Sequence, residues 1–188
     1  MTVNDGQTIL AADFTSVTIL PQTTYPVDGV PFANVLTGNT TLHVSQVHVP
    51  RAIKVNKVSI HLGTSVATGT LKVCLFSEDG QTQIINFETT TIDTTNDNGI
   101  LTHTLASETL VNPGIYYFTI LPTGTTNIEV LTRTSLVSAE LDVIKNGVTS
   151  EPDLEGTITV TASTMPTTIT PTSITFVTSK GFVFRLDN

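Results

Sequence analysis

The side chains able to do chemistry in this sequence are few and scattered. Four histidines, His43, His48, His61 and His103, all fall in strand-like stretches beside Thr, Ser, Gln or Val. None has the i, i+4 helical spacing of a metal pair and no cysteine accompanies them, so each is expected to face solvent from a strand. Two outward histidines could still meet across a ladder, or equivalent ones at a subunit interface. The run Asp93-Thr94-Thr95-Asn96-Asp97-Asn98-Gly99 is rich in oxygen ligands. An EF-hand loop needs Gly at its sixth position and Glu at its twelfth. Here Gly99 is seventh from Asp93 and no Glu closes the loop. Asn, Asp and Gly are also the preferred residues of tight turns, so a turn is the expected state. Asp93 and Asp97 are the best metal candidates the chain offers, and no metal or other cofactor is expected.

Nucleophilic and acid–base chemistry fares no better. Glu88, Glu129 and Glu140 could in principle supply a glycosidase acid and base, but their spacing places no two of them in one cleft. Glu78-Asp79 sits beside a turn glycine and reads as a solvated loop. There is no Gly-x-Ser-x-Gly elbow, no phosphate-cradling glycine loop and no tryptophan. Cys74, the single cysteine, cannot staple its own chain, and nothing near it in sequence would activate a thiolate; it is expected as a small buried residue. The sequence therefore reads as a non-enzyme with no catalytic residue.

The elements that would hold these residues are strands throughout. Apolar residues recur with period two: Val58, Ile60 and Leu62 alternate with Ser59 and His61, and Leu71, Val73 and Leu75 with Lys72 and Cys74. In 115–120 both faces are apolar (Ile115 and Tyr117 on one, Tyr116, Phe118 and Ile120 on the other), which predicts a strand covered on both sides. Asn98-Gly99, Asn146-Gly147 and Asp79-Gly80 are hairpin signals, and Pro113-Gly114 and Pro122-Thr123-Gly124 mark further turns. The run 135–144 is also expected as a strand. The fold class is all-β, an antiparallel β-sandwich. Its division is expected as an N-terminal arm or edge strands over 1–37, a sandwich core over 38–148, and a linker with a C-terminal β-hairpin segment over 149–188. Three prolines in the first part, Pro21, Pro26 and Pro31, argue against central strands there. A lone hairpin is barely stable, so the last part must dock on the sandwich or on a neighbouring subunit.

Composition narrows the partners. The net charge is −8 with a pI near 4.7, and the eight Lys and Arg are dispersed. Neither a phosphate backbone nor an anionic membrane is a suitable partner for such a surface. Charged residues make up only 13% of the chain, against about 25% in an ordinary soluble domain, and Thr supplies about a fifth. The N-terminal residues lack a basic region followed by an apolar core, so no signal peptide is expected and the protein is made in a cytoplasm.

The segment 41–120, somewhat under half the chain, resembles a jelly-roll-like β-sandwich module of bacteriophage virion proteins. The resemblance lies in Val47-His48-Val49-Pro50-Arg51, in Ile53-Lys54-Val55-Asn56-Lys57-Val58-Ser59-Ile60 and in Leu71-Lys72-Val73-Cys74-Leu75-Phe76-Ser77-Glu78-Asp79-Gly80. It closes on Leu110-Val111-Asn112-Pro113-Gly114-Ile115-Tyr116-Tyr117-Phe118. Such modules occur in head-decoration, tail-fibre and receptor-binding proteins, often as trimers, and share no catalytic residues. The resemblance implies a structural virion protein, foremost a capsid decoration or cement protein. It would form a homo-oligomer, expected as a trimer, and contact a major capsid protein or other virion proteins. The alternative it implies is a tail or receptor-binding module for host-surface glycans; the aromatic loops that such modules expose to sugars are missing here.

Overall fold

The computed structural model describes residues 16–19, 31–36, 38–63, 69–92, 99–123, 128–134, 155–178, 180–182 and 184–188. Within them the chain is built from strands: β1 (Ser16–Ile19), β2 (Pro31–Leu36), β3 (Thr41–Val49), β4 (Ile53–Leu62), β5 (Leu71–Ser77), β6 (Gln83–Glu88), β7 (Gly99–Val111), β8 (Gly114–Pro122), β9 (Ile128–Thr134), β10 (Glu155–Thr159), β11 (Thr175–Thr178), β12 (Lys180–Phe182) and β13 (Phe184–Asp187). The β-branched and aromatic residues that fill them suit a pleated, half-buried surface.

Two antiparallel sheets pack face to face. One runs β1-β13-β4-β9-β12, with β2 also paired to β9 and β7 to β4; the other runs β11-β10-β3-β8-β5-β6. The expected all-β sandwich is therefore what forms. Its main core lies between the sheets and joins Val47 and Val49 of β3, Val58, Ile60 and Leu62 of β4, Leu71, Val73 and Leu75 of β5, and Phe118 and Ile120 of β8. Phe118 crosses the interface, stacking on Phe184 at 3.7 Å between ring centroids and meeting Phe182 edge-on at 6.2 Å.

A second, smaller core lies on the outer face of the six-stranded sheet. Leu42, Val44, Cys74, Phe76, Tyr117 and Leu121 point away from the main core and are buried beneath 160–174, which contributes Ile169 and Ile174. This strap explains the doubly apolar pattern of β8: Phe118 and Ile120 face the sandwich, while Tyr117 and Leu121 face the strap. It also buries Cys74, as expected of that residue.

Several local expectations change at the level of pairing. The predicted C-terminal hairpin does not form: β11 pairs with β10 in one sheet, whereas β12 pairs with β9 and β13 lies between β4 and β1 in the other. Phe182, Phe184 and Leu186 are core residues, and each gains more by entering the sandwich than a two-stranded ribbon could offer. The expected boundary near 149 is thus crossed by both sheets, and Leu36 of β2 likewise joins the main core. Asn98 lies outside the described residues, but β6 and β7, the strands on either side of Asn98-Gly99, belong to different sheets and do not pair as a hairpin. Asp79-Gly80 does turn β5 into β6, with Gly80 at φ +71°. The run 135–144 and Asn146-Gly147 lie outside the described residues.

Candidate functional site

The four histidines are kept apart. Across the ladders His43 faces Ile120 and Thr157, His48 faces Ile115, His61 faces Ile100, and His103 faces Val58. Only His48 is exposed, which corrects the expectation that all four face solvent. His103 leans into the gap between the sheets, stacked on Phe87 at 4.1 Å, and burial holds its imidazole below the usual histidine range. His61 is half-buried, and its Nδ1 has no hydrogen-bond partner among the described residues.

His43 takes the most structured position. It lies on the inward side of β3, and its Nδ1 is 3.1 Å from Oε1 of Glu155, the first residue of β10. Both are buried, at 8% and 3% exposure. Next to them Ser45 is wholly buried, and its Oγ accepts a bond from the Phe182 amide (3.1 Å). A histidine oriented by a carboxylate is a geometry that can serve acid–base chemistry. Here Nε2 is enclosed, with no partner among the described residues, so no substrate atom can reach it. The pair works as a buried tie between β3 and β10. Sequence reasoning missed it because 112 residues separate its members and no local spacing announces them.

The other candidates resolve as follows. Asp93, Asp97 and Glu140 lie outside the described residues, and the side chain of Glu129 on β9 is likewise not described. Glu88 is exposed and accepts a bond from the Thr70 hydroxyl (2.5 Å); its other oxygen is 3.9 Å from Lys72 Nζ. No group of three or more His, Cys, Asp or Glu able to hold a metal occurs among the described residues. Asp79, in the exposed β5–β6 turn, is held below the usual carboxylate range by the Ser77 hydroxyl (2.5 Å) and the Gln81 amide (3.0 Å). This is turn chemistry: the carboxylate serves as a local acceptor.

What the fold does build are surfaces and ties. The strap is fastened at its rim by polar bonds. Lys72 Nζ donates to Ser163 O (2.8 Å), Gln83 Nε2 to Pro166 O (2.7 Å), and the Ile169 amide to Gly80 O (2.9 Å). Its outer side carries Thr161, Thr164, Thr167, Thr168, Thr170 and Thr172, all exposed. On β7, Ile100 (71%) and Leu110 (52%) are the large hydrophobic residues exposed among those described. β7 is also irregular: Val55 faces Thr109 and Lys57 faces Thr104, so Asn56 alone opposes four residues, 105–108. Such a bulge blunts a sheet edge against further strand addition. Every described Phe and Tyr side chain is buried.

No family model, curated protein or solved structure matches this chain.

Proposed function

We propose that this chain is a structural assembly protein, and specifically a virion component: a capsid decoration or cement protein that stabilises a phage head as a homo-oligomer. The observation that carries the reading is the character of the exposed surface. The strap presents Thr after Thr, and the outward row of β7 adds Ile100, Thr102, Thr104 and Leu110. Threonine hydroxyls and methyls cost little to desolvate compared with charged groups, which are depleted at the cores of protein interfaces. A surface of this kind suits wide contact with other subunits. The likeness of 41–120 to virion sandwiches supports the narrower assignment.

Among the described side chains every Phe and Tyr ring is buried, so none of these offers the glycan-binding alternative a stacking platform. Cosedimentation of the purified protein with undecorated phage heads tests the proposal, with a glycan array run beside it. Saturable binding to heads and a blank array are the expected results. A protein that stays monomeric and leaves the heads bare would refute it, and sugar binding without head binding would replace it with the receptor-binding role.

A further inference from the structure

The strands after 154 are seated on the rest of the chain much as a separate piece would be. β10 lies on β3, β12 on β9, and β13 between β4 and β1; only β11 pairs within the segment, on β10. Apolar anchors fill both cores, with Phe182, Phe184 and Leu186 in the main one and Ile169 and Ile174 in the other. The polar ties run the same way, from His43, Ser45, Lys72, Gly80 and Gln83 of the body to Glu155, Phe182, Ser163, Ile169 and Pro166 of the segment. The seat is thus made by residues up to Thr134 and its occupant by residues from Glu155. Twenty residues of sequence separate the two. At about 3.3 Å per residue such a link reaches up to roughly 66 Å, beyond the ~40 Å breadth of a folded chain of this size.

We propose that 155–188 is exchangeable between copies: it occupies the same seat in a second copy of this chain, giving strand-exchanged oligomers. The contacts are those already described, so exchange alters only which chain supplies them. Choice between the two is a matter of effective concentration. A tether of twenty residues holds its own segment at about millimolar effective concentration, so the closed monomer prevails in dilute solution. Copies crowded side by side on a shell reach comparable local concentrations, and there exchange links neighbours. The inference deepens the assembly reading and rests on it for its biological setting.

The ladder supplies the test. Thr41 faces Thr159, and the Val160 amide bonds Thr40 O (2.9 Å), which makes Thr41 and Thr159 a pair not directly hydrogen-bonded to each other. Their side chains are therefore close enough for a cross-strand disulfide. In a Cys74→Ala background, Thr41→Cys protein is co-refolded with Thr159→Cys protein and oxidised with glutathione disulfide. The products are read on a non-reducing gel and by light scattering. The expected result is a Thr41→Cys/Thr159→Cys heterodimer, minor at about 10 μM chain and comparable with monomer near 1 mM. The doubly substituted chain, oxidised when dilute, should close within itself. Internal closure with no heterodimer at any concentration overturns the exchange, and failure of internal closure overturns the seat. Either result leaves binding to phage heads to be judged separately, so failure of the exchange and failure of the function are distinguishable.

Discussion

Gly80→Ala is the most direct probe of how the strap is held. Gly80 adopts φ +71°, and a β-carbon there would overlap the Ile169 carbonyl oxygen and lie 2.8 Å from Ile169 Cγ1. Gly38 has nearly the same φ, +78°, with nothing within 4 Å of an added β-carbon. Gly38→Ala therefore bears only the left-handed conformational cost, about 1 kcal/mol. Gly80→Ala bears that cost and must also push Ile169 away. It loses the bond from the Ile169 amide to Gly80 O, worth about 1 kcal/mol, and part of the burial of Ile169, worth about 1–2 kcal/mol. The expected total is about 3–4 kcal/mol, equivalent to a fall in Tm of roughly 6–16 °C for a chain of this length. Cys74 reports which part has moved, because it lies beneath the strap and burial pushes its thiol well above the usual cysteine range. If the strap loosens by about 3 kcal/mol, labelling of Cys74 by a thiol reagent should accelerate by about a hundredfold at unchanged pH. Equal stability of the two Ala variants would refute the steric argument. A large loss of stability without faster labelling would place the damage in the β5–β6 turn instead of the strap.

Phe184→Ala should cost about 3–5 kcal/mol in urea unfolding and lower the single transition of the whole sandwich, because the ring is 1% exposed and stacked on Phe118; a separate early transition would show that β13 folds apart from the core. Cys74→Ser should destabilise by about 1–3 kcal/mol, since a hydroxyl would enter an apolar cluster; an unchanged melting curve would contradict the burial. Asp79 should titrate below an ordinary aspartate when followed by carboxyl NMR, because Ser77 and then Gln81 stabilise its charged form. Its folded value is the lower one, so its contribution is complete above the unfolded value and is lost as pH falls through the folded one. Asp79→Asn should accordingly flatten the acid limb of stability between those two values, and an acid limb unchanged by the substitution would contradict the assignment.

The strands themselves were legible because alternation is a local property. Val58, Ile60 and Leu62, or Leu71, Val73 and Leu75, announce an inward face without reference to anything else in the chain. The doubly apolar run 115–120 even announced a cover on the far side of β8. What covers it was not legible, because the strap uses Met165, Ile169 and Ile174 as isolated plugs with no period. The stronger clue lay in β5, where Cys74 and Phe76 alternate with an already inward row and so demand a second apolar neighbour. Sheet membership was also hidden. Phe182 and Phe184 look the same in a hairpin and in a sandwich, and only the long-range stacking on Phe118 decides between them. Of the chemical residues, the histidines' spacing argued only against a local metal pair and left a meeting across a ladder open, while the tie between His43 and Glu155 depended on a register set by the whole of β3 and β10.

The bulge in β7 has a practical consequence. Between Thr104 and Thr109 the sheet already accommodates four residues where β4 supplies one, and regular pairing resumes on both sides. Ala106, Ser107 and Glu108 are exposed there. The position therefore behaves as a natural insertion point: a foreign peptide grafted between Ala106 and Ser107 would extend an existing excursion and leave the flanking registers intact. If many copies of the chain coat one particle, the same three residues would present that peptide as a dense, repeated array.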